Sequence, residues 1–588
     1  MKQIKNIQQS IFITLILAIS GILVIPAHAA EFHVTTTQEL QTALSTAAEN
    51  NQSDSIFLAA GIYKGNFRFI TGESETSLSI QAEEGLNAGN VVLDGEERDR
   101  VLFIDSGDNE LNINIENLTV RNGKVCAGAG ILIKTKGEVM IASCYIHDNY
   151  STCNGGGLNI ESASNLFITK SIISNNTLDC WNSHASGLYA INIGYFSFIE
   201  NNVTSNILIN SHSFDSIFVI ATNVLLKNNS ILMNRAYINS GINCSASNNI
   251  TVLNNQFSNN ENSNNANSLV ALSAPEIEFK NNHFLSNDGG IHLSAHNHIE
   301  FESNCISNNL KATKNGTIYL NSNSITGINN VITNNNSLSE SGCLYVVSSG
   351  TIDLINNVIT NNNSLSGSGC LYVVSPGTIN LINNTLTQNK TTGYGGGLYV
   401  DVNNTTAILN IYNNIIWGNT AGTEGDDIYL SGYGAKKNFY NNNVHEIVGT
   451  LDFAANNIDV APLFVNTEKD DYHLGAGSLC INAGTNDAPE LPGLDMDGNP
   501  RIADNTVDIG AYEHSSTDYH PADTNKDWTL STTEVTAYET AWKNGNSWSE
   551  GPAQIPMNYL TRAGFLQQSG GSYQNAGGSK PLCWIPVD

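Results

Sequence analysis

The stretch INNVITNNNSLSESGCLYVV at residues 328–347 recurs as INNVITNNNSLSGSGCLYVV at 355–374 and as INNTLTQNKTTGYGGGLYV at 382–400. The three copies begin 27 residues apart. A fixed period of this length is typical of a solenoid, in which each repeat forms one turn that stacks on the next. The repeat therefore predicts an elongated, stacked architecture.

Each repeat consists of short β-type segments. Helical repeats need amphipathic stretches of about ten or more helix formers, whereas these segments are β-branched and interrupted by Asn, Ser and Gly. The run LYVDV at 398–402 alternates, which places Val400 on one face of a strand and Tyr399 on the other. About three such strands per turn, each paired in parallel with the next turn, predict a mainly β chain folded as a parallel β-helix of about 11 or more turns.

Paired polar residues precede a short apolar run in each turn, and their phase extends the repeat outwards. Asn tolerates the left-handed backbone of sharp turns, and Asn side chains stacked from turn to turn can form a hydrogen-bonded ladder. We therefore interpret the series as structural rather than ligand-binding. Counting back from Asn330 and forward from Asn384, its members are Asn304, Asn282, Asn255, Asn229, Asn202, Ser171 and Cys144, and then Asn414.

The N-terminal residues have the pattern of an export signal. Lys2 and Lys5 precede an apolar run at 11–25, and AHA at 27–29 provides a small-residue cleavage site. Residues 1–29 are therefore predicted to be a signal peptide; the alternative is an uncleaved membrane anchor. No later run of 18 residues is apolar. The mature chain is expected to be secreted, either extracellular or at the cell surface, with no membrane insertion after cleavage.

The chain is strongly acidic. Its formal net charge is −29 and its pI is near 4.6. Nucleic acids and anionic membranes are bound by clustered Lys and Arg, so the composition argues against both as partners. The basic residues are too sparse to form an obvious groove for phosphate or polyuronate.

The cysteines follow the repeat. Cys126, Cys153 and Cys180 are spaced by 27 residues, as are Cys343 and Cys370. Residues in the same place of neighbouring turns would have Cα atoms about 4.8 Å apart, within the disulfide range. Either pairing within the first three is open, with one Cys left over. For the last two we expect unpaired thiols, because a Gly holds the matching place in the next turn and stacked strand positions give poor disulfide dihedrals.

Three stretches resemble secreted right-handed β-helix proteins of the pectin-lyase-like superfamily. The first contains FHV at 32–34, DSIFL at 54–58 and GIY at 61–63, with a helix expected over 38–49 because Thr36 and Glu39 have capping-box spacing. The middle stretch contains GGGL at 155–158 and 395–398, and IIWGN at 415–419. The last contains PLF at 462–464, DYHL at 471–474, CINAG at 480–484, DMDGNPR at 495–501 and DIGAYE at 508–513.

The resemblance implies both a fold and an organisation. The last stretch is similar to the closing segment of bacterial β-helix proteins of the choice-of-anchor type. It implies an N-terminal cap and first turns at 30–114, a repetitive right-handed β-helix at 115–460 and a closing segment at 461–514. Within that segment we interpret the acidic cluster at 495–499 as a structural cap, with Arg501 held by neighbouring carboxylates.

Residues 523–534 have the oxygen spacing of an EF-hand calcium loop. Such loops use side-chain oxygens at positions 1, 3 and 5, a carbonyl at 7, a hydroxyl or water at 9, and a bidentate Glu at 12. A Trp stands at position 6, where Gly normally takes the sharp turn. The alternative is an acidic turn at a helix start. The predicted Ca2+ ligands are Asp523, Asn525, Asp527, Thr529, Ser531 and Glu534.

The same loop resembles the first half of a dockerin module, although no second loop of this pattern follows it. Residues 515–588 are therefore predicted to form an EF-hand-like or dockerin-like C-terminal module with a small helical fold. The partner that this resemblance implies is a cohesin-like protein or a cell-surface protein.

The β-helix shows no lyase or polygalacturonase signature. Enzymes that this fold resembles use an acidic cluster with a nearby Arg, Lys or His, and such groups must meet on one face. The adjacent pair Asp426 and Asp427 has no such partner downstream, and we interpret it as a solvated turn. No catalytic residue is predicted. The basic residues considered share no common phase with an acidic cluster; they are Lys170, Lys227, Arg235, Lys280, Lys311, Lys314 and Lys390.

Two functional hypotheses follow. In the first, the protein is a non-catalytic surface or adhesion-type rod that binds extracellular polysaccharide, with Tyr345, Tyr372 and Tyr399 stacked on one face. A stacked Tyr column is equally ordinary sheet stabilisation. In the second, it is a polysaccharide lyase or glycoside hydrolase recruited through the dockerin-like module. The absence of a cationic base beside an acidic cluster favours the first hypothesis, and the module favours the second.

Overall fold

The computed structural model describes residues 29–72, 77–181, 183–209, 215–263, 268–310, 316–338, 342–365, 369–475, 477–503, 505–514, 519–548, 552, 554–576 and 580–587. Apart from residue 29, the predicted signal peptide lies outside this part of the chain. No helix among the described residues is long and apolar enough to cross a membrane.

The chain winds into a parallel β-solenoid of about 14 turns. This confirms the predicted stacked β architecture and adds turns to the minimum of about 11. The additional turns lie mainly before residue 142, where few Asn pairs mark the repeat. At about 4.8 Å per turn, the rod is about 65 Å long.

Three ribbons of parallel strands run along the rod. The long sheet has 25 strands within the described residues: Ala29–Val34, Ser53–Leu58, Phe67–Ile70, Ser77–Ala82, Leu102–Asp105, Asn112–Glu116, Ile131–Lys134, Glu138–Ala142, Leu158–Ile160, Ala163–Thr169, Leu188–Ile199, Ile217–Lys227, Ile242–Leu253, Ser268–Lys280, Gly290–Glu302, Ile318–Ile328, Leu344–Ile355, Leu371–Val374, Thr378–Ile382, Leu398–Asp401, Ile408–Tyr412, Ile428–Ser431, Lys436–Tyr440, Ile447–Val448 and Phe453–Ala455.

The second sheet contains shorter strands: Gly61–Lys64, Val91–Asp94, Thr119–Arg121, Tyr145–His147, Ile172–Ser174, Asn202–Thr204, Ser230–Leu232, Gln256–Ser258, His283–Leu285, Cys305–Ser307, Val331–Thr333, Val358–Thr360, Thr385–Thr387, Ile415–Trp417 and Asn443–Val444. The third ribbon has two-residue strands: Lys124–Val125, Tyr150–Ser151, Thr177–Leu178, Ile207–Leu208, Arg235–Ala236, Glu261–Asn262, Asn336–Ser337, Asn363–Ser364, Lys390–Thr391 and Thr420–Ala421. A full turn therefore contributes to three ribbons, as the repeat predicts.

A helix lies against the N-terminal turns. Helix α1 (Thr37–Ala47) begins at Thr36, whose side chain accepts a hydrogen bond from Glu39 N while the Glu39 carboxylate accepts one from Thr36 N. This capping box confirms the predicted helix start. The apolar side of α1 is buried against the first strands, which covers one end of the aliphatic core; its buried residues are Leu40, Ala43, Leu44 and Ala47.

Two ladders of buried Asn side chains run through the turns. In each step an Asn backbone N–H and side-chain amide both donate to the Oδ1 atom of the next Asn, as Asn330 does to Asn357 at 3.0 and 2.9 Å. The first ladder is Ser171, Asn201, Asn229, Asn255, Asn282, Asn304, Asn330, Asn357, Asn384, Asn414, Asn442 and Asn457. The second is Asn149, Asn176, Asn206, Asn234, Asn260, Asn287, Asn309, Asn335, Asn362, Asn389 and Asn419.

The residue before each ladder Asn makes the sharp turn. Asn329 and Asn334 have φ of 57° and 56°, in the left-handed region that Asn adopts at low cost. The paired residues therefore divide the work: the first bends the chain and the second joins the ladder. This geometry confirms the predicted ladder and corrects one member, because Asn201 rather than Asn202 joins it. Asn202 instead begins a strand of the second sheet, opposite Ile172.

The turn-forming Asn side chains also bind the segment after residue 460. Asn383 Nδ2 donates to Asp508 O at 3.0 Å, Asn413 Nδ2 to Thr485 O at 3.0 Å, and Asn441 Nδ2 to Ala483 O at 2.9 Å. The segment thus lies along the outside of the second sheet and covers its strands from Val358 onwards. It contains the antiparallel strands Phe464–Asn466 and Asp471–Leu474, joined by a 3-10 turn at Thr467–Lys469.

The C-terminal residues form a small helical unit with its own core. It contains α2 (Thr532–Lys543), α3 (Met557–Gln568) and an antiparallel pair of strands, Tyr573–Asn575 and Trp584–Pro586. Tyr538, Ala563, Leu566 and Trp584 are buried between these elements. The fold of this part agrees with the predicted helical module.

The structure resolves the open cysteine pairing. Cys126 and Cys153 form a disulfide between adjacent turns, with Cα atoms 4.8 Å apart. Cys343 and Cys370 are buried thiols, as predicted. Their Sγ atoms donate to backbone carbonyls, including Asn335 O and Asn362 O.

Candidate functional site

Six rings form a continuous column on the outer face of the long sheet. Strand register places each ring over the next, and the successive centroid distances are 4.7, 5.3, 4.8, 4.7 and 5.4 Å. Only three of the rings were predicted as a stack. The aromatic column, as we name it, is His292, Tyr319, Tyr345, Tyr372, Tyr399 and Tyr429.

Alternation along each strand directs these rings outwards. Leu344 and Val346, on either side of Tyr345, are in the core, whereas Tyr345 is half-buried. Burial raises the pKa of Tyr345, with further contributions from neighbouring Tyr319 and from Asp401. The Tyr345 hydroxyl therefore stays protonated and can donate a hydrogen bond.

The stack determines which parts of the rings a ligand can reach. Neighbouring rings in the column contact one another face to face or edge to face, as Tyr399 and Tyr429 do at an interplanar angle of 5°. The faces between the stacked pairs, Tyr345–Tyr372 and Tyr399–Tyr429, are therefore covered, and ring edges and hydroxyls remain for a ligand. A parallel column of smaller residues lies beside it on the same face: Ser294, Asn321, Val347, Val374, Asp401 and Ser431.

The prediction that none of the basic residues considered shares a phase with an acidic cluster is wrong for Lys280. Its Nζ atom lies 2.9 Å from Glu278, 2.8 Å from Glu300 and 3.2 Å from Glu302. Burial would lower the pKa of Lys280, but hydrogen bonds and charge from the glutamates raise it well above its usual range. Strand pairing brings these residues together across adjacent turns, a relation that the variable turn length hides in the sequence.

The prediction that Asp427 lies in a solvated turn is wrong. It is 1% exposed and ends the second ladder, since Asn419 N and Nδ2 both donate to Asp427 Oδ1 at 3.1 and 2.9 Å. Its other oxygen accepts from His445 N at 3.0 Å and Glu446 N at 3.3 Å. Both carboxylate oxygens are thus engaged in structural hydrogen bonds.

His473 is a buried charged group in the closing segment. His473 Nδ1 lies 2.6 Å from Asp471 Oδ1, and His473 Nε2 lies 2.8 Å from Asp497 Oδ2. Burial alone would lower the pKa of His473, but the hydrogen bonds to both carboxylates raise it to about 9. At neutral pH His473 is therefore a cation held between two carboxylates, which ties the first part of the segment to the second.

The acidic cluster at 495–499 forms a cap, as predicted. Asp495 accepts from Asn499 N at 2.7 Å and from Glu513 N at 2.9 Å. Arg501 is 1% exposed; its Nε atom lies 3.1 Å from Glu513, and its Nη1 atom donates to Ala511 O at 2.9 Å. This cluster therefore organises the closing segment through its own hydrogen bonds.

The predicted calcium loop precedes α2. Trp528, at position 6, has φ of 62°, the left-handed conformation that a Gly normally takes there. A residue with a Cβ atom adopts this conformation at a cost of about 1–2 kcal/mol. The Trp528 ring packs against Tyr519 at 4.4 Å and Tyr573 at 5.3 Å, which offsets part of that cost. The loop therefore makes its sharp turn without Gly.

The predicted ligands at the two ends of the loop are shielded carboxylates. Asp523 and Glu534 are 1% and 9% exposed. Asp523 accepts from Trp528 N at 3.0 Å and from Tyr573 Oη at 2.6 Å, while Glu534 accepts from Thr524 N at 2.9 Å. Burial would raise the pKa of Glu534, but its hydrogen bonds, first to Ser531, lower it. Glu534 is therefore held as an anion.

The remaining predicted ligands lie on the same loop. Asn525 Nδ2 donates to Asp527 Oδ2 at 2.9 Å, and Thr529 N donates to Asp527 Oδ1 at 2.9 Å. Ser531 is the N-cap of α2 and forms a capping box with Glu534. Within the described part of the chain no three His, Cys, Asp or Glu side chains are grouped as a metal site. The donor set fits a hard cation, and its binding would exchange loop hydrogen bonds for metal contacts.

Comparison with known proteins supports the architecture. A family model described as a right-handed β-helix region matches residues 100–274. The crystal structure of the Agl-KA catalytic domain is 12% identical over 70% of this chain and 69% of that chain, with a TM-score of 0.23. The PL6 family polysaccharide lyase Pedsa3628 from Pseudopedobacter saltans is 11% identical over 73% of this chain and 92% of that chain, with a TM-score of 0.18. No curated protein matches the sequence. Likenesses this distant carry no argument about activity.

Sequence reasoning missed half of the aromatic column because the turns differ in length. His292, Tyr319 and Tyr429 stand one residue after a buried Ile and one before a buried Leu, the same local pattern as the three Tyr that were found. Aligning the turns on this apolar-aromatic-apolar pattern, instead of on a fixed spacing of 27, would have found them.

Proposed function

We propose that this protein is an exported, non-catalytic rod that binds neutral glycan chains along the aromatic column and is attached to a partner through a calcium-binding C-terminal module. The observation that carries the proposal is the column itself, which presents ring edges and hydroxyls from six consecutive turns. A periodic row of this kind suits a ligand that is itself a repeating chain.

The chemistry of the column favours neutral sugars. Tyr hydroxyls and the amide of Asn321 match sugar hydroxyls as hydrogen-bond partners, and the ring edges supply apolar contact. Asp401 on the neighbouring column and the net charge of −29 disfavour a polyanionic chain.

Lys280 and Asp427, the groups that most resemble catalytic residues, are engaged in structural interactions. A general base must be deprotonated near the working pH, whereas Glu278 and Glu300 raise the pKa of Lys280 and keep it protonated. Asp427 has both oxygens occupied by hydrogen bonds from Asn419, His445 and Glu446. These assignments support a binding function over the alternative of a polysaccharide lyase or glycoside hydrolase.

The C-terminal module supplies the attachment. Asp523, Asn525 and Asp527 would provide side-chain oxygens to Ca2+, Thr529 its carbonyl, Ser531 a hydroxyl or a bound water, and Glu534 a bidentate carboxylate. A bound ion would neutralise the shielded carboxylates and fix the start of α2. A cohesin-like or cell-surface protein is the class of partner proposed for this module, and secretion follows from the predicted signal peptide.

The test is glycan binding by the full mature chain. We expect binding to at least one neutral polysaccharide among β-glucan, mannan and xylan in affinity electrophoresis, and none to polygalacturonate. Tyr372→Ala should weaken binding about ten-fold or more, and Tyr372→Phe should retain part of it because the ring stays. Tyr440→Ala is the matched control, since Tyr440 stacks with Tyr412 at 5.2 Å outside the column.

Two outcomes would count against the proposal. Wild-type protein that binds none of the neutral polysaccharides would contradict glycan binding. Release of new reducing ends or of unsaturated products from any of the polysaccharides would support the enzymatic alternative instead.

A further inference from the structure

The aromatic column is interrupted towards the N-terminus and then resumes. Strand register continues the column from His292 to Ala271, then to Asn243, and then to Phe218. Phe218 stacks on Tyr189 with ring centroids 5.4 Å apart. Two consecutive positions without a ring therefore lie between two aromatic segments. We name this gap the notch; its walls are Phe218 and His292.

The notch has the length of a short saccharide. Three steps of about 4.8 Å separate the two walls, so their ring planes are about 14 Å apart. Asn243 and Ala271 are half-buried in the floor, and the neighbouring outward positions are the exposed Ser245 and Ser273. Small side chains thus replace rings over two turns, which leaves a recess on the outer face.

The walls differ in chemical character from the interior of the column. Phe218 contacts Tyr189 and His184, both from the preceding turn, so among the described residues no ring contacts it from the side of the notch. His292 contacts Tyr319 on the opposite side of the notch. Burial lowers the pKa of His292, so its ring is uncharged at neutral pH. Phe218, which lies nearly parallel to Tyr189 at 10°, therefore has one ring face directed towards the notch, and His292, tilted by 57° to Tyr319, forms the other wall with an uncharged ring.

The floor is held in place by a buried carboxylate. Asp215 is 0% exposed, lies 2.8 Å from His184 Nδ1 and accepts from Asn239 Nδ2 at 2.9 Å. Burial raises the pKa of Asp215, and the nearby Asn243 side chain in the floor offsets part of that effect. The residues that form the walls and floor carry no permanent charge. The Phe218 ring face and the His292 ring beside an amide and two hydroxyls match the apolar faces and the hydroxyls of pyranose rings.

We propose that the notch is the principal glycan subsite of the rod, and that it holds two to three neutral sugar residues between Phe218 and His292. This inference rests on the proposed glycan-binding function and assigns its specificity to a defined place. Chain ends and short oligosaccharides bind in the notch, where the Phe218 ring face is accessible. Longer chains continue from it along the ring edges of the aromatic column.

The experiment uses the full mature chain and calorimetry with cello-, manno- and xylo-trisaccharides and the corresponding hexasaccharides. Ala271→Tyr places a ring at one of the two positions of the notch, as Tyr319 does in a later turn, and Ala271→Ser is the matched control. We expect at least one of the three trisaccharides to bind the wild type and Ala271→Ser with equal affinity. The same trisaccharide should bind Ala271→Tyr and Phe218→Ala at least ten-fold more weakly. Tyr372→Ala should weaken hexasaccharide binding, and Tyr440→Ala, outside the column, should leave the binding of both lengths unchanged.

The outcomes separate the notch from the column. Unchanged trisaccharide binding in Ala271→Tyr would overturn the proposed notch subsite. A wild type that binds polysaccharide but no trisaccharide would overturn it too. In both cases the proposed function would stand if Tyr372→Ala loses polymer binding. A wild type that binds neither the saccharides nor the polysaccharides would overturn both proposals. Because Ala271→Tyr adds a ring to an outward position, retention of the wild-type melting temperature shows that any loss is local.

Discussion

Asn419 donates both its backbone N–H and its side-chain amide to a single oxygen of Asp427. Every earlier member of the second ladder donates in the same way to an Asn, whose own amide continues the series. A carboxylate has no N–H to pass on. Asp427 therefore ends the ladder and turns its second oxygen towards the backbone amides of His445 and Glu446, in the next turn of the chain.

Asp427→Ala should destabilise the last turns of the rod by about 3 kcal/mol, because it leaves four donor groups unpaired, two of them on buried Asn419. Asp427→Asn should cost less, since one oxygen remains to accept from Asn419 while its NH2 group faces two donors. Hydrogen-exchange mass spectrometry of peptides covering 419–447 measures the change, with peptides around Asn229 as an internal control. Equal protection in wild type and Asp427→Ala would show that the ladder needs no terminal acceptor.

Raising the pH should loosen the closing segment. The folded pKa of His473 is about 9, above its ordinary value of 6.5. The charged interaction is therefore fully present below about pH 6.5 and is lost as pH rises through about 9, a contribution of about 3 kcal/mol. Limited proteolysis between pH 6 and pH 10 should show cleavage within 471–512 that increases with pH. His473→Gln is the control, and its cleavage should not vary over this range beyond the protease's own pH dependence.

Calcium should stabilise the C-terminal module. Free Ca2+ at about 100 times the dissociation constant adds about 2.7 kcal/mol to a folded state that alone binds it. The thermal transition of the module within the full chain should therefore rise with Ca2+ and return after chelation. Glu534→Gln should remove most of the response, and Thr533→Ala, outside the ligand set, should keep it. A shift of equal size in both variants would place the effect elsewhere.

Trp528→Gly should have opposite effects on the loop and on the module. Gly takes the left-handed turn without the cost of about 1–2 kcal/mol that Trp528 bears, so calcium affinity should increase several-fold. Removing the ring also removes its contacts with Tyr519 and Tyr573, so the calcium-free module should melt earlier. Trp528→Ala separates the backbone effect from the ring effect, since it loses the ring contacts and keeps the strained left-handed backbone. A calcium affinity lower in Gly than in Ala would contradict this account.

The sequence predicted the features that repeat and missed those that depend on two turns of unequal length. Paired Asn residues, the capping box at Thr36 and the stack of Tyr345, Tyr372 and Tyr399 all follow from local pattern or from the regular 27-residue spacing. Asn201 was assigned one position late because the turns on either side of it have different lengths.

Contacts across turns were beyond pattern reasoning. The glutamates around Lys280 come from two paired strands, and the register of that pairing cannot be read from the sequence because the turn between the strands has an irregular length. Asp427 looked like a solvated turn residue because nothing in its own neighbourhood signals that a ladder ends there. The interruption of the aromatic column at Asn243 and Ala271 likewise becomes visible only when register is observed.

The ladders make the turns of this rod interchangeable units. Each ladder Asn requires only another Asn in the next turn, and the anchors of the closing segment begin at Asn356. Removal of the 27 residues 328–354 would therefore join Asn304 to Asn357 and Asn309 to Asn362 with every hydrogen bond of both ladders reproduced. The rod would be shorter by about 4.8 Å, with both ends unchanged. The near-identical copies at 328–347 and 355–374 are what gene duplication leaves when length can vary one turn at a time.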